Sequence, residues 1–170
     1  EDHRLHVIGN GFCESNFQNI SSDNTVSTQK SPFRFLHSGS VYGAGRNPEW
    51  LFRAIASLKE KGDISSSNVI FSFRGTSASE TVSKQLTTLN ITDLVEFLPS
   101  VDYKASLSEM IASDGLLLLQ GRQYNPQIPG KAYEYIRSRR PILALASSEG
   151  ATAELLDSIE HAAVADLEQV

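Results

Sequence analysis

The chain has 170 residues, with 15 Lys plus Arg against 20 Asp plus Glu, a formal charge of −5 and 40% apolar residues. That length suits one domain with a proper core and is short for two, and the acidic balance argues against sequence-independent nucleic-acid binding. The lone Cys13 excludes an internal disulfide or a cysteine cage for a metal and fits a reducing, cytoplasmic setting, no apolar run approaches membrane-spanning length, and Glu1-Asp2-His3-Arg4 is no signal peptide.

Leu5-His6-Val7-Ile8 reads as strand-like within a few residues of the start, which gives the chain the look of a piece of something longer. Residues 14–32, rich in Ser, Asn, Asp and Thr, read as an irregular connection. Residues 33–37 read as a strand and 39–45 as a glycine-rich loop. Asn47-Pro48 then reads as an N-cap with proline at the first helical position. Leu51, Ala54, Ile55 and Leu58 recur at helical spacing until Gly62 ends the run.

A second unit follows: strand 68–73, a turn at Gly75, helix 79–89, and strand 94–98. Helix 103–112 carries Leu107, Met110 and Ile111 on one side. The remainder reads as strand 115–120, helix 129–137, strand 141–146, helix 152–159 and a short strand 161–165. Strands separated by helix-length crossovers cannot pair as hairpins, so the pattern predicts a three-layer, Rossmann-like α/β domain with a parallel sheet, spanning 1–170. Ligands of such sheets sit beyond the carboxyl ends of the strands. The loops to inspect are therefore 38–46, 74–79, 99–102, 121–128 and 147–150.

The segment Gln127-Ile128-Pro129-Gly130-Lys131-Ala132-Tyr133-Glu134-Tyr135, placed just after the apolar run 116–119, reads as a polar loop leading into a helix whose first turn holds Pro129, Gly130 and Lys131. Backbone N–H groups, the positive end of the helix dipole and a lysine converge there on one spot, a geometry suited to phosphate. Glu134, three residues beyond Lys131 on the same helix face, could accept from a sugar's hydroxyls. An exposed ion pair is the plainer account of that spacing. Glycine in a first turn, however, costs on the order of 1 kcal/mol against alanine, and close approach of a ligand is a reason to keep it.

In the loop Gly39-Ser40-Val41-Tyr42-Gly43-Ala44-Gly45-Arg46, the glycines permit close backbone approach and Arg46 sets a fork of donors beside a helix start. The spacing of Gly39, Gly43 and Gly45 also imitates a dehydrogenase cofactor loop. That reading requires a Tyr with Lys four positions on, and Tyr42, Tyr103, Tyr124, Tyr133 and Tyr135 are followed there by Arg46, Leu107, Ile128, Arg137 and Arg139. His3, His6, His37 and His161 have no metal-ligand spacing, and Ser38 and Ser40 have no base partner in sequence. Arg137, Arg139 and Arg140 read as a solvated helix end complementing the dipole.

Residues 113–144 resemble the donor-binding half of glycosyltransferase family 4, the retaining enzymes with the GT-B fold. Val7-Ile8-Gly9-Asn10-Gly11-Phe12 is similar to the family's "I-P-N-G" segment, Phe35-Leu36-His37-Ser38-Gly39-Ser40 to its first strand and loop, and Phe71-Ser72-Phe73-Arg74-Gly75 and Val95-Glu96-Phe97-Leu98-Pro99 to its next two strand ends. The resemblance implies the C-terminal, Rossmann-like half of a GT-B enzyme that binds a nucleotide-sugar donor facing an N-terminal acceptor domain absent from this chain. It implies no metal or other cofactor, a place in bacterial surface polysaccharide synthesis, and peripheral contact with the inner face of the membrane through the absent domain.

By the same resemblance Glu134 holds the ribose, and Arg46 and Lys131 serve the donor diphosphate with the helix-start amides of Gly130 and its neighbours, in the loop that carries Gln127, Ile128 and Pro129. Gly39, Ser40 and Gly75 line the loops, and the backbone of Phe97, Leu98 and Pro99 faces the base. Two positions depart from the family pattern. Ser40 stands where a basic residue is common, and Pro126 stands where the first motif glutamate is usual, so Gln127 is the substitute for the sugar contact. Two other readings compete: a GT-B-type sugar-nucleotide epimerase, which needs cleft carboxylates or histidines that 121–128 does not supply, and a noncatalytic nucleotide-binding domain.

Overall fold

The computed structural model describes residues 6, 8–18, 20, 32–41 and 48–166. Its strands are β1 (Phe33–Ser38), β2 (Val69–Arg74), β3 (Val95–Leu98), β4 (Gly115–Leu119), β5 (Ile142–Leu145) and β6 (Ala162–Ala165). The helices are α1 (Glu49–Lys61), α2 (Glu80–Thr88), α3 (Tyr103–Ala112), α4 (Gly130–Ser138) and α5 (Ala151–Asp157), with single 3-10 turns at Glu14–Phe17 and Arg122–Tyr124. All pairings are parallel and the strand order is β3-β2-β1-β4-β5-β6. The expected parallel α/β sheet is therefore the one that forms.

Alternation along the strands builds the two cores. Phe71, Phe73, Leu117, Leu119 and Leu145 face one side, where α1 supplies Leu51, Phe52 and Ile55 and α2 supplies Leu86. Leu36, Leu116, Leu118, Ile142 and Ala144 face the other, against Leu107 and Met110 of α3, Ala132 and Tyr135 of α4, and Leu156 of α5. A continuous apolar run such as β4, buried on both faces along its length, is what a central parallel strand requires.

Local chemistry sets most boundaries. Ser79 and Asp102 cap α2 and α3 by accepting from Val82 N and Ala105 N. Gly62 ends α1 at φ +78, and Gly75 turns the chain after β2 at φ +82. Gly115 opens β4 because a Cβ there would stand 2.8 Å from the Phe35 ring and 2.9 Å from the Phe33 ring.

Some expectations are displaced. Pro48 occupies the N-cap position of α1 rather than the first helical residue, and Asn47 lies outside the described residues. The strand expected at 5–8 is not formed at His6 or Ile8, and Ile8 is 92% exposed; Leu5 and Val7 lie outside the described residues.

Candidate functional site

The strand order reverses direction between β1 and β4, and there the two strands part. They share the register Phe35↔Gly115 and Leu36↔Leu116. Beyond it, side chains fill the fork. Ser38 N donates to the Tyr135 hydroxyl at 2.9 Å, and His37 Nδ1 lies 3.0 Å from Leu117 O. A carbonyl only accepts, so Nδ1 carries the hydrogen. Both rings are fully buried, and burial holds the Tyr135 phenol well above its ordinary pKa, so it remains a neutral hydroxyl. His37 is thus structural, as its place near a strand end suggests.

At the mouth of this fork Lys131, from the first turn of α4, reaches over β4 to the end of β1, where Nζ donates to Ser38 O at 2.6 Å. Gly39 follows at φ +122, and a Cβ there would lie 2.6 Å from that Nζ. The glycine is therefore needed twice, for its backbone angle and for the room it leaves the ammonium. Gly39 N donates to Arg74 O at 2.9 Å and Gly75 N to Leu98 O at 3.0 Å, and a Cβ on Gly75 would lie 3.8 Å from Gly39 Cα. The loops after β1, β2 and β3 are stacked side by side by these bonds.

Arg74 stiffens the arrangement. Its Nε and Nη2 grip both oxygens of Glu109 at 2.8 and 2.6 Å, and Nη1 donates to Pro99 O at 2.8 Å. Phe97 stacks on Phe73 at 5.2 Å between centroids and packs against the first core, so what β3 offers the loops is backbone. The carbonyls of Leu98 and Pro99 already accept from Gly75 and Arg74.

Helix α4 begins at Gly130, with Pro129 as the preceding N-cap residue rather than inside the first turn, and no side chain caps it. A Cβ on Gly130 would come within 3.2 Å of Asn10 Nδ2, so the glycine leaves room for that side chain beside the helix start. One turn on, Glu134 Oε1 accepts from the Tyr103 hydroxyl at 2.6 Å, and Asn16 Nδ2 donates to that hydroxyl at 3.4 Å. The bond to Glu134 raises the Tyr103 pKa.

The loop 121–128 is shaped from below by Gln120, which is 5% exposed. Its Nε2 donates to Tyr124 O at 2.8 Å and Gln127 O at 2.7 Å, and its Oε1 accepts from Thr152 Oγ at 2.6 Å. Gln127 contributes its carbonyl to this frame while its side chain is exposed, and Ile128 packs against the second core. Ser40 sits half-buried after Gly39. The structure thus gathers Gly39, Gly75, Gly130 and Lys131 at the carboxyl edge, with Glu134 one helical turn along. Arg46, with all of 42–47, lies outside the described residues.

The arginines at the end of α4 are not simply solvated. Arg137 forms a two-point ion pair with Glu14 and lies 5.1 Å above the Phe17 ring, pulling the Glu14 carboxyl below its ordinary pKa. Arg140 Nε donates to Ile111 O at 2.7 Å, and Arg139 ends the helix at φ +57. These residues line a charged cavity of about 680 Å³ at the opposite end of α4 from Lys131. Among the described residues no cluster of three or more His, Cys, Asp or Glu could hold a metal ion, and no helix is long and apolar enough to cross a membrane.

Tyr103, Tyr135, Gln120 and Asn16 carried no local signal of these roles; the pairing of aromatic hydroxyls with groups 31 and 97 positions away is a property of the fold.

No protein-family model and no curated protein sequence matches the chain. Solved structures do. WaaG, a glycosyltransferase involved in lipopolysaccharide biosynthesis, superposes with a TM-score of 0.69 at 18% identity over 99% of this chain and 46% of its own. A trehalose-6-phosphate synthase studied for glycosyltransfer with retention gives 0.65 at 15% identity, over 94% of this chain and 40% of its own. The UDP-forming α,α-trehalose-phosphate synthase of Burkholderia xenovorans gives 0.61 at 11% identity, over 81% and 33%. The six-stranded parallel sheet with flanking helices is the Rossmann-like fold found in GT-B glycosyltransferases. The chain spans less than half the length of each of these proteins.

Proposed function

We propose that this chain is the donor-binding, C-terminal half of a retaining glycosyltransferase of family 4, working in the cytoplasm on a bacterial surface polysaccharide or glycoconjugate. One observation carries the reading: Lys131 spans the point where the strand order reverses and sets its ammonium against Ser38 O and Gly39, with Glu134 one turn behind. Cation, glycine loop and uncapped helix start together suit a diphosphate, and a carboxylate a turn away suits the sugar hydroxyls beside it. The likeness to a lipopolysaccharide glycosyltransferase and to UDP-forming synthases supports the same class.

In this reading the departing diphosphate gains negative charge as the glycosidic bond breaks. Lys131 and the amides at Gly130, with Arg46 as the resemblance implies, would donate to that charge and so stabilise the transition state more than the ground state. The scheme needs no metal. The acceptor would bind to a further domain of the same polypeptide, through which membrane contact would be made, so this chain alone binds donor and transfers little.

The test is a thermal-shift panel of UDP-, GDP- and ADP-sugars against the chain and its Lys131→Ala variant. A ligand bound to the native state raises Tm by mass action. The expected result is a shift with one nucleotide class that Lys131→Ala removes. A flat panel would refute the donor-site assignment.

A further inference from the structure

Tyr103 opens α3, is 51% exposed, and belongs to neither core cluster. Packing therefore does not account for a ring at this place. Its hydroxyl sits between two groups: it donates to Glu134 Oε1 at 2.6 Å and accepts from Asn16 Nδ2 at 3.4 Å. A donor this close to a carboxylate makes a charge-assisted bond. Glu134 also pushes the phenol's ionisation upward, so Tyr103 remains a donor at neutral pH.

We infer that Tyr103 is a positioning residue for Glu134, holding one carboxylate oxygen so that the other faces the paired 2′- and 3′-hydroxyls of a nucleoside diphosphate. This rests on the reading of Glu134 as the ribose acceptor. A glutamate on a half-open helix face turns about several single bonds, and freezing them on ligand arrival weakens binding. A phenol has far less freedom and is fixed by the helix that carries it. An ionised carboxylate has about four acceptor sites; Tyr103 uses one and leaves enough for a diol. Asn16 completes the chain. Its 3-10 turn is docked by Glu14 on Arg137 and by buried Phe17, so the phenol is held from the far side as well.

A plain strut between α3 and α4 would use the same bond, and the experiment separates the two. Binding of UDP, GDP and ADP, of their 2′,3′-dideoxy analogues, and of inorganic pyrophosphate is measured by calorimetry on the 170-residue chain, Tyr103→Phe and Glu134→Gln. The native chain should favour the ribonucleotide over its dideoxy form. Tyr103→Phe should reduce that preference roughly three- to tenfold, the range of one hydrogen bond, while leaving pyrophosphate and dideoxy affinities unchanged. Glu134→Gln should reduce it at least as far. Tyr103→Leu, which removes the ring altogether, repeats the test on an independent side chain.

If Tyr103→Phe lowers Tm but keeps the native preference, Tyr103 is a strut and the inference falls while the donor site stands. If the native chain binds diphosphates without preferring the ribo form, the Glu134 assignment fails and this inference with it. If it binds none of them, the proposed function fails as well.

Discussion

Replacing Gly39 by alanine probes the site at its tightest point. The residue lies at φ +122, where a side chain is strained, and such backbone strain costs about 1–3 kcal/mol. The new methyl would also stand 2.6 Å from Lys131 Nζ. That contact is relieved cheaply, because the end of a lysine can swing aside. What is lost is the bond to Ser38 O, and hydrogen bonds to charged groups contribute about 1.5–3 kcal/mol. In a domain of this size each 1 kcal/mol lowers Tm by roughly 2–4 °C. The assay is urea unfolding of Gly39→Ala, Lys131→Ala and the double variant. Both single changes break the same bond, so the double should be more stable than their sum by about that bond's worth, 1.5–3 kcal/mol. Strict additivity, or a Gly39→Ala variant as stable as the parent, would show that the ammonium does not rest on this loop.

Two further outcomes follow from contacts away from the cradle. Arg137 depresses the Glu14 carboxyl below its unfolded value of 4.5, so the stability it adds is full above that value and is lost as pH falls through the lower folded one; the gap in urea midpoint between parent and Glu14→Gln should close on acidification from pH 6 to 3, and a gap that stays constant would contradict the pairing. Gln120→Met removes the donor to two loop carbonyls and the acceptor for Thr152, at about 1–3 kcal/mol for each group left unsatisfied; protease cleavage within 121–128 should accelerate, and unchanged cleavage would show that the amide does not shape the loop.

Much of the architecture could be read from the chain because its signals are local. Helix-length spacers between apolar runs exclude hairpins, and the parallel sheet follows. Gly62 and Gly75 punctuate where their left-handed angles are used, and α3 spans the residues its spacing predicts. Lys131 was legible as a basic residue in a helix start, but its partner, Ser38 O, lies 93 positions away. The same holds for Arg137, which looks like an ordinary helix-end cation until the fold brings Glu14 and Phe17 beneath it. The strand-like spacing at 5–8 shows the limit of a local signal, since neither His6 nor Ile8 lies in a strand.

The fork between β1 and β4 divides the sheet unequally. β1 and β2 run in register over six positions and β4 and β5 over four, whereas β1 and β4 keep two. Two stiff leaves thus meet along a hinge closed by a phenol and an imidazole. Opening it like a book would break only the short β1–β4 pairing and the side-chain bonds beyond it, leaving each leaf's own ladder intact. Beyond those two paired positions the width of the crevice is accordingly gauged by the reach of two side chains, His37 and Tyr135, rather than by the fixed spacing of paired strands.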